Sequence, residues 1–332
     1  MNTGAPQGMT RREALQKVLF FSTSLLSFGP LEKLRAQPPL LEFPGEGIHL
    51  LAIGDFGTGK ANQAAVARQM SEFAKKLKAP LTAVLALGDN FYGNLVAERF
   101  RVHFEETYSK ENLDCPFYAC LGNHDYGPLY DGGQGRSKAQ VQLDYASQNP
   151  SSRWKMPGKW YALELPDAET PLVKLIVLDG NMFEGALTPL EKVEQKHFLE
   201  AELKKQTRAP WRWMVSHYPV FSAGIKGDNS RLLREWGDYL KSGNFSFYLA
   251  GHDHNLQHLE VADYHASFLV SGAGGTGLYN IKSVARGFAQ KILGFTHLYV
   301  TRDTVSVQFL SVEGACLHSF RRTCGGEISI VS

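Results

Sequence analysis

The sequence predicts an α/β fold that ends in an antiparallel region, in a single domain from about residue 40 to residue 332. Two observations lead to this fold class. Apolar runs of strand-like composition are each followed by a polar or glycine-rich turn, and several of these turns lead into a helical pattern. From "ASFLVSGAG" onward, the apolar runs follow one another with little helical pattern between them.

The first half of the chain alternates strands and helices. "IHLLAIGD" predicts a strand, and "ANQAAVARQMSEFAKKL" after it carries an apolar helical stripe. The stripe consists of Ala65, Met70, Phe73 and Leu77. "LTAVLALGDN" and "FYACLGNHD" predict further strands, separated by the helical pattern "LVAERFRVHFEETY".

The second half repeats the alternation before it becomes all strand. "VKLIVLD" predicts a strand, and the next helix begins with Thr188 as N-cap, Pro189 at its first position and Glu191 as capping-box partner. We expect that helix to run through Lys205. "WRWMVSHYP" and "FSFYLAGHDH" predict two more strands, and "FTHLYVTRD" and "TVSVQFLSV" complete the antiparallel region.

Residues 1–36 predict a twin-arginine-type signal peptide. Arg11 and Arg12 precede an apolar stretch from Val18 to Phe28, which is too short to span a bilayer. An amphipathic N-terminal helix is the alternative. The signal predicts export to a bacterial periplasm or to the medium, and the absence of a later apolar span predicts no stable membrane insertion.

The amino-acid composition excludes few classes of function. The chain is 43% hydrophobic and 20% charged, which is typical of a globular protein, and its net charge of +2 gives no reason to expect a nucleic acid partner. None of the four cysteines has a zinc-binding or C-x-x-C spacing. Cys316 and Cys324 could close a short loop in an oxidising compartment. Cys120 is expected to be buried, and the state of Cys115 is left open.

Polar side chains suited to metal binding follow five of the apolar runs. They are Asp55; Asp89 with Tyr92; Asn123 with His124; His217; and His252 with His254. One aspartate after a strand is commonly a cap or a turn former. Five such endings that include asparagine, tyrosine and histidine share no structural explanation of that kind. Because strand carboxyl ends meet at one edge of an α/β sheet, the pattern predicts a metal site there.

The number and type of donors indicate two metal ions. The set is too large for one tetrahedral zinc and suits two ions that share a bridging carboxylate. The phenolate of Tyr92 is a hard anionic donor that favours a ferric ion over Mg²⁺ or Ca²⁺. His252 and His254 would face the same side of a regular strand, whereas in a turn they could straddle two ions.

Three other motifs match known patterns incompletely. Gly54 to Lys60 is nearly a P-loop, but Ala61 replaces the Ser or Thr that binds magnesium. Asp55 to Gly57 spells the D-F-G of protein kinases, with no H-R-D before it. "GAGGTG" at 272–277 fits a dinucleotide fingerprint without a following helix, and we expect a turn near the rim of the site instead.

The ordered motifs D-x-G, G-D-x-x-Y, G-N-H-D, S-H-Y-P and G-H-D-H resemble the metal-binding blocks of the purple acid phosphatases. The likeness is greatest to the small tartrate-resistant type, within the calcineurin-like metallophosphoesterase superfamily. Most relatives in that superfamily have a histidine where this chain has Gly57, and Tyr92 supplies the missing ligand. The resemblance implies a β-sandwich of two mixed sheets flanked by helices.

The resemblance also implies a ligand set and a reaction. Fe(III) would be held by Asp55, Asp89, Tyr92 and His254. Fe(II), Zn(II) or Mn(II) would be held by Asp89, Asn123, His217 and His252. The implied enzyme is an acid phosphatase that hydrolyses phosphate monoesters through a metal-bound hydroxide. His124 would hydrogen-bond the phosphate or protonate the leaving group.

Two departures from the family pattern bear on substrate contacts. Lys226 and Tyr126 stand where animal members carry active-site histidines, and we expect both to contact substrate. The expected partner is a small phosphate ester, bound by a monomer without a nucleic acid scaffold role. A phosphodiesterase or nucleotide hydrolase of the same fold, and a catalytically idle phosphate-binding protein, are the alternatives.

Overall fold

Two mixed β-sheets flanked by helices make up this protein, as seen in a computed structural model, and they confirm the predicted fold class. The structure describes residues 43, 46–77, 79–93, 95, 97–126, 137–183 and 186–331. The predicted signal peptide and the domain boundary near residue 40 lie outside these residues and stay predictions.

The first sheet contains eight strands in the order β15-β14-β13-β12-β1-β2-β3-β4. Its strands are β1 Ile48–Ile53, β2 Leu81–Ala86, β3 Phe117–Ala119, β4 Trp154–Lys155, β12 Gly294–Val300, β13 Thr304–Ser311, β14 Cys316–Thr323 and β15 Ile328–Ile330. Strands β1 to β4 pair in parallel, whereas β12 joins β1 antiparallel and starts the antiparallel half.

The second sheet contains seven strands in the order β11-β9-β10-β8-β7-β6-β5. Its strands are β5 Tyr161–Leu165, β6 Val173–Val177, β7 Trp211–Val215, β8 Phe247–Ala250, β9 Leu256–Leu259, β10 Ser267–Ser271 and β11 Gly287–Gln290. Strands β6, β7, β8 and β10 are parallel, and antiparallel strands lie at both edges.

The helices lie between the strands much as the sequence predicts. They are α1 Ala61–Lys76, α2 Ala97–Phe100, α3 Lys110–Leu113, α4 Lys138–Gln148, α5 Pro189–Lys204 and α6 Ser230–Ser242. A π-helical segment, Arg101–Glu106, continues α2, and 3₁₀ turns occur at Asn123–Asp125 and Asn181–Phe183. Helix α5 begins with the predicted capping box of Thr188 and Glu191, and it ends one residue before the predicted Lys205.

Three apolar layers hold these elements together. The layer between the sheets joins residues such as Leu50 of β1 and Trp213 of β7. A second layer packs α1 against the first sheet through Met70 and Phe73. These are the two residues of the predicted apolar stripe whose side chains are buried. A third packs α5 and α6 against the second sheet. Within the described residues, no helix is both long and apolar enough to cross a bilayer.

The suggested loop between Cys316 and Cys324 is wrong. Both cysteines carry free thiols, with Cys316 buried and Cys324 exposed. Cys316 begins the eight-residue strand β14 and Cys324 follows its end. An extended strand of this length separates its ends by about 26 Å, far beyond the reach of a disulfide.

Candidate metal centre

Four donor side chains from the first sheet and the β8 turn form one group. Asp55 follows β1, and its Oδ1 lies 3.3 Å from His254 Nε2 and 3.4 Å from the Tyr92 hydroxyl. The same hydroxyl lies 3.0 Å from Asp89 Oδ2, just after β2. The four residues predicted to hold the ferric ion therefore lie together.

The remaining donors form a second group beside the first. Asn123 Oδ1 lies 3.2 Å from His217 Nε2 and 3.1 Å from His252 Nδ1. The two imidazole nitrogens are 3.2 Å apart, and His217 Nε2 is 3.5 Å from Asp89 Oδ1. Asp89 thus turns one carboxylate oxygen to each group. His252 belongs to the second group and His254 to the first, which is the arrangement expected if the two histidines lie in a turn and not on a regular strand.

The backbone bends sharply at three of these residues. Asp55, Asp89 and His252 have φ angles of 58°, 51° and 64°, in the left-handed region that non-glycine residues seldom adopt. Each lies just after a strand, so the bend turns the side chain back toward the sheet edge. The backbone N–H of His252 donates to Asp55 Oδ2 at 2.7 Å, which joins the two sheets at this point.

Backbone carbonyls orient two of the three imidazoles. His217 Nδ1 donates to the carbonyl of Leu87 at 2.8 Å, and His254 Nδ1 donates to that of Gly277 at 2.5 Å. Because a carbonyl only accepts, each Nδ1 must carry the proton, which leaves the Nε2 lone pair facing the donor group. The "GAGGTG" loop therefore lies at the rim of the site, as predicted.

Asp125 and Asp253 each adjoin a donor residue in sequence, but their carboxylates bind other groups than the imidazoles. Asp125 accepts from the backbone N–H groups of Asn90, Phe91 and Gly122 at 2.8–3.1 Å, and so joins the turn after β3 to the turn after β2. Asp253 accepts from the Ser222 hydroxyl. Adjacency in sequence was misleading because successive residues of a turn point in different directions.

The electrostatics of the donor groups fit a cation. Asp55 and Asp89 are almost fully buried, and one donor atom each from them and from His217 lies within 4.8 Å of the others. Burial, and then the two carboxylates, raise the pKa of Tyr92 well above its usual range. Burial lowers the pKa of His217, but Asp89 and Asp55 outweigh it and raise the pKa overall. Oxygen and imidazole donors facing one another at these distances suit metal ions.

Gly57 explains how Tyr92 reaches the site. A Cβ at position 57 would lie 1.7 Å from the Asn90 carbonyl oxygen, so only glycine lets the turn after β2 close onto this segment. The N–H of Tyr92 then donates to the Gly57 carbonyl at 2.9 Å. A side chain at position 57 and Tyr92 in its present place exclude each other sterically.

The residues predicted to contact substrate have different surroundings. His124 is exposed, and its ring centroid is 4.6 Å from that of Tyr92. Lys226 Nζ lies 2.9 Å from His252 Nε2, on the ring side opposite Asn123, and beside a cavity of about 240 Å³ that Arg231 also lines. The hydroxyl of Tyr126 donates to the carboxylate of Asp179.

Several side chains beside the site belong to none of the motifs that predict it. Tyr279 stacks on His254 with centroids 3.9 Å apart, and no motif contains it. Asp179 and Asn181 follow β6 in "VLDGN", and they contact the turns that carry Asn123 and His217. The sequence does contain an indication of Asp179 and Asn181, because "VKLIVLD" is a sixth apolar run that ends in polar residues.

Comparisons with known proteins agree on the family. The calcineurin-like phosphoesterase family model matches residues 48–256. Purple acid phosphatase 4 of Arabidopsis thaliana is 30% identical over 89% of this chain and 90% of its own length. Tartrate-resistant acid phosphatase type 5 of Homo sapiens is 26% identical over 86% of this chain and 93% of its own.

Solved structures add the fold alone. Purple acid phosphatase PPD1 from yellow lupin seeds has a TM-score of 0.61 at 15% identity, covering 84% of this chain and 54% of that one. GAP50, described as the anchor in the inner membrane complex of Plasmodium, has a TM-score of 0.63 at 22% identity, covering 82% and 87%. With a family model over most of the chain and full-length relatives named as acid phosphatases, this chain belongs to the purple acid phosphatases of the calcineurin-like phosphoesterase family and is a metal-dependent phosphoester hydrolase.

Proposed function

We propose that this protein is an acid phosphatase that hydrolyses phosphate monoesters at an Fe(III)–M(II) centre, where M is Fe, Zn or Mn. The observation that carries the proposal is the division of seven donor residues into two groups that share Asp89, with a phenol in only one of them. Asp55, Asp89, Tyr92 and His254 would hold the ferric ion. Asp89, Asn123, His217 and His252 would hold the divalent ion.

The metal ions and the protein side chains would have different roles in the reaction. When bound, the two ions acidify a water molecule and neutralise charge on the phosphoryl oxygens. The protein excludes water from beneath the site, since Asp55, Asp89 and His217 are almost completely buried. It also holds the protons of His217 and His254 on Nδ1 through the carbonyls of Leu87 and Gly277.

Lys226 and His124 would serve the substrate. A neutral imidazole that binds metal through Nδ1 carries its proton on Nε2, so His252 can then no longer accept from Lys226 Nζ at that atom. The ammonium group can turn instead toward a bound phosphate beside the cavity. His124, which is exposed and contacts the Tyr92 ring, would hydrogen-bond the phosphate or protonate the departing alcohol.

Tyr126 would act differently from the sequence expectation. Its hydroxyl donates to the buried carboxylate of Asp179, which commits the hydroxyl hydrogen to the protein. We propose that Tyr126 supports the wall of the site, while its ring edge remains half-buried near the substrate.

The visible spectrum and the metal content of purified protein test the metal assignment. A ferric–phenolate pair absorbs visible light, so we expect a purple protein with iron and a second metal, and a colourless Tyr92→Phe variant that still folds. An iron-free, colourless protein that is fully active with zinc or manganese would refute the ferric assignment.

The reaction class is tested by comparing an aryl monophosphate with its bis-aryl diester at acidic and at neutral pH. Faster hydrolysis of the monoester at acidic pH supports the proposal. Faster hydrolysis of the diester would favour the phosphodiesterase alternative, and phosphate binding without turnover in fully metallated protein would favour the idle alternative.

We also propose export through the twin-arginine-type signal, a small phosphate ester as partner, no nucleic acid scaffold role, no stable membrane insertion and a monomeric state. Replacing Arg11 and Arg12 by lysine should retain the full-length chain in the cytoplasm. Export that survives this replacement would refute the signal assignment, and light scattering of the exported protein tests the monomer.

A further inference from the structure

The side chain of Asn181 lies between the two turns that carry the second donor group. Asn181 is fully buried and begins the 3₁₀ turn after β6. Its Nδ2 donates to the carbonyl of Leu121 at 3.0 Å, and its Oδ1 accepts from the hydroxyl of Tyr218 at 3.3 Å. One amide therefore joins a turn of the first sheet to a turn of the second.

Both contacts lie next to donors of the second group. Leu121 is two residues before Asn123, and Tyr218 directly follows His217. The ring of Tyr218 also packs against His252, with centroids 4.2 Å apart. Asn123, His217 and His252 are the donors that belong to the second group alone. Asn123 and His217 each lie within two residues of a hydrogen-bond partner of Asn181, and His252 contacts the ring of Tyr218.

Asp179 keeps this amide in place. Its Oδ1 accepts from the backbone N–H of Asn181 at 2.9 Å and from Asn181 Nδ2 at 2.7 Å. The other carboxylate oxygen accepts from Tyr126. Gln195 of α5 clamps the Asp179 backbone with two hydrogen bonds of 2.6 and 3.0 Å. A buried amide with every polar atom engaged has one stable orientation.

The first donor group is held by other parts of the protein. His254 donates to the carbonyl of Gly277, and the N–H of Tyr92 donates to the carbonyl of Gly57. Asn181 makes neither of these contacts, and its own hydrogen bonds go to the turns that carry Asn123 and His217.

We propose that Asn181, fixed by Asp179, is a positioning residue for the divalent half of the centre and sets the spacing between Asn123 and His217. The inference rests on the proposed two-metal function. Removing the amide should weaken binding of the divalent ion selectively, while the ferric ion and its colour remain. Loss of such a supporting contact typically reduces metal affinity about 10- to 100-fold.

The experiment uses full-length protein loaded with iron and zinc. We expect Asn181→Ala to raise the zinc dissociation constant, measured by competition with a chromophoric chelator, by about 10- to 100-fold. Iron content and the visible band should match wild type. Tyr218→Phe keeps the ring on His252 and removes only the hydroxyl, so it should raise the same constant by about 2- to 10-fold.

Val305→Ala is the control for general destabilisation. Val305 is fully buried and pairs with Val300, which pairs with Ile48 at the end of β1 away from the site. This variant should leave zinc affinity unchanged.

Three results would overturn the inference or its basis. Parallel loss of iron and zinc in Asn181→Ala would mean general disruption, and unchanged zinc affinity in both variants would mean that the amide does not position the ligands. If Asn181→Ala does not fold, the zinc-to-iron ratio of Tyr218→Phe decides the question alone. A wild-type protein without iron would instead overturn the proposed function, before any variant is compared.

Discussion

Gly57→Ala is a small substitution with a large expected effect. The added Cβ would lie 1.7 Å from the Asn90 carbonyl oxygen, whereas heavy atoms in contact are about 3.5 Å apart, so this part of the turn must withdraw by about 1.8 Å. Tyr92 is two residues farther along the same turn, and its N–H is hydrogen-bonded to the Gly57 carbonyl. The phenol should therefore leave its position beside Asp55 and Asp89.

The cost can be worked from these contacts. Overpacking of a rigid site costs about 1–3 kcal/mol, and the lost hydrogen bond adds about 1 kcal/mol. A total of about 2–4 kcal/mol corresponds to a fall in Tm of about 3–7 °C for a domain of this size. Tyr92→Phe, by contrast, adds no atoms and loses only the hydroxyl contacts with Asp89 and Asp55, so it should remove the colour with a smaller fall in the Tm of the apoprotein.

The assay combines thermal unfolding of the apoprotein with the visible spectrum after metal loading. Gly325→Ala is the matched control, because a Cβ there finds its nearest neighbour, Thr323 Oγ1, at 3.7 Å. We expect a lower Tm and a lost or shifted band in Gly57→Ala, and neither change in the control. A Gly57→Ala protein with wild-type Tm and colour would refute the steric coupling of Gly57 to Tyr92.

Three further predictions concern other parts of the molecule. Lys226→Gln should raise KM for an aryl monophosphate about 10-fold with a smaller change in kcat, while Lys241→Gln on the last turn of α6 should not, as steady-state kinetics will show. Burial, and then His49 at 3.0 Å, lower the pKa of His297 to about 3. The unfolded chain therefore binds the extra proton, and this residue's contribution to stability, complete above about pH 6.5, falls by about 1.4 kcal/mol per pH unit toward pH 3. Urea unfolding of wild type and His297→Gln across this range should show a steeper acid loss in wild type, and parallel curves would contradict the assignment. A thiol reagent should label Cys324 alone among the four cysteines of the native chain, and a native chain whose Cys324 is not labelled would contradict its exposed position.

The sequence was most informative where residue type and position in a strand agree. Strands before Asp55, Asp89 and His217 could be located from their apolar runs. Parallel pairing brings the carboxyl ends of β1 and β2 together, whereas β7 lies in the second sheet and meets them through the packing of the two sheets. The capping box at Thr188 was equally readable because it is a local interaction within one turn of helix.

The residues that hold the metal-binding side chains in place could not be predicted from the sequence in this way. Leu87 and Gly277 act through their backbone carbonyls, which every residue has, so no residue type marks them. Asp179 resembles an ordinary turn former after a strand. Its role becomes visible only when the partner turn with Tyr126 lies beside it, 53 residues away in sequence.

Three donor residues with a left-handed backbone conformation show why the geometry of the centre depends on the whole fold. Asp55, Asp89 and His252 adopt conformations that cost about 1–3 kcal/mol each and that a short peptide would avoid. Each is held by a bond to another turn: Asp55 N–H to the Gly88 carbonyl, Asp89 Oδ1 from the His124 N–H, and His252 N–H to Asp55 Oδ2. No single turn can therefore assume its metal-binding conformation before the others are present. The arrangement of the ligands therefore depends on the packing of the two sheets against each other.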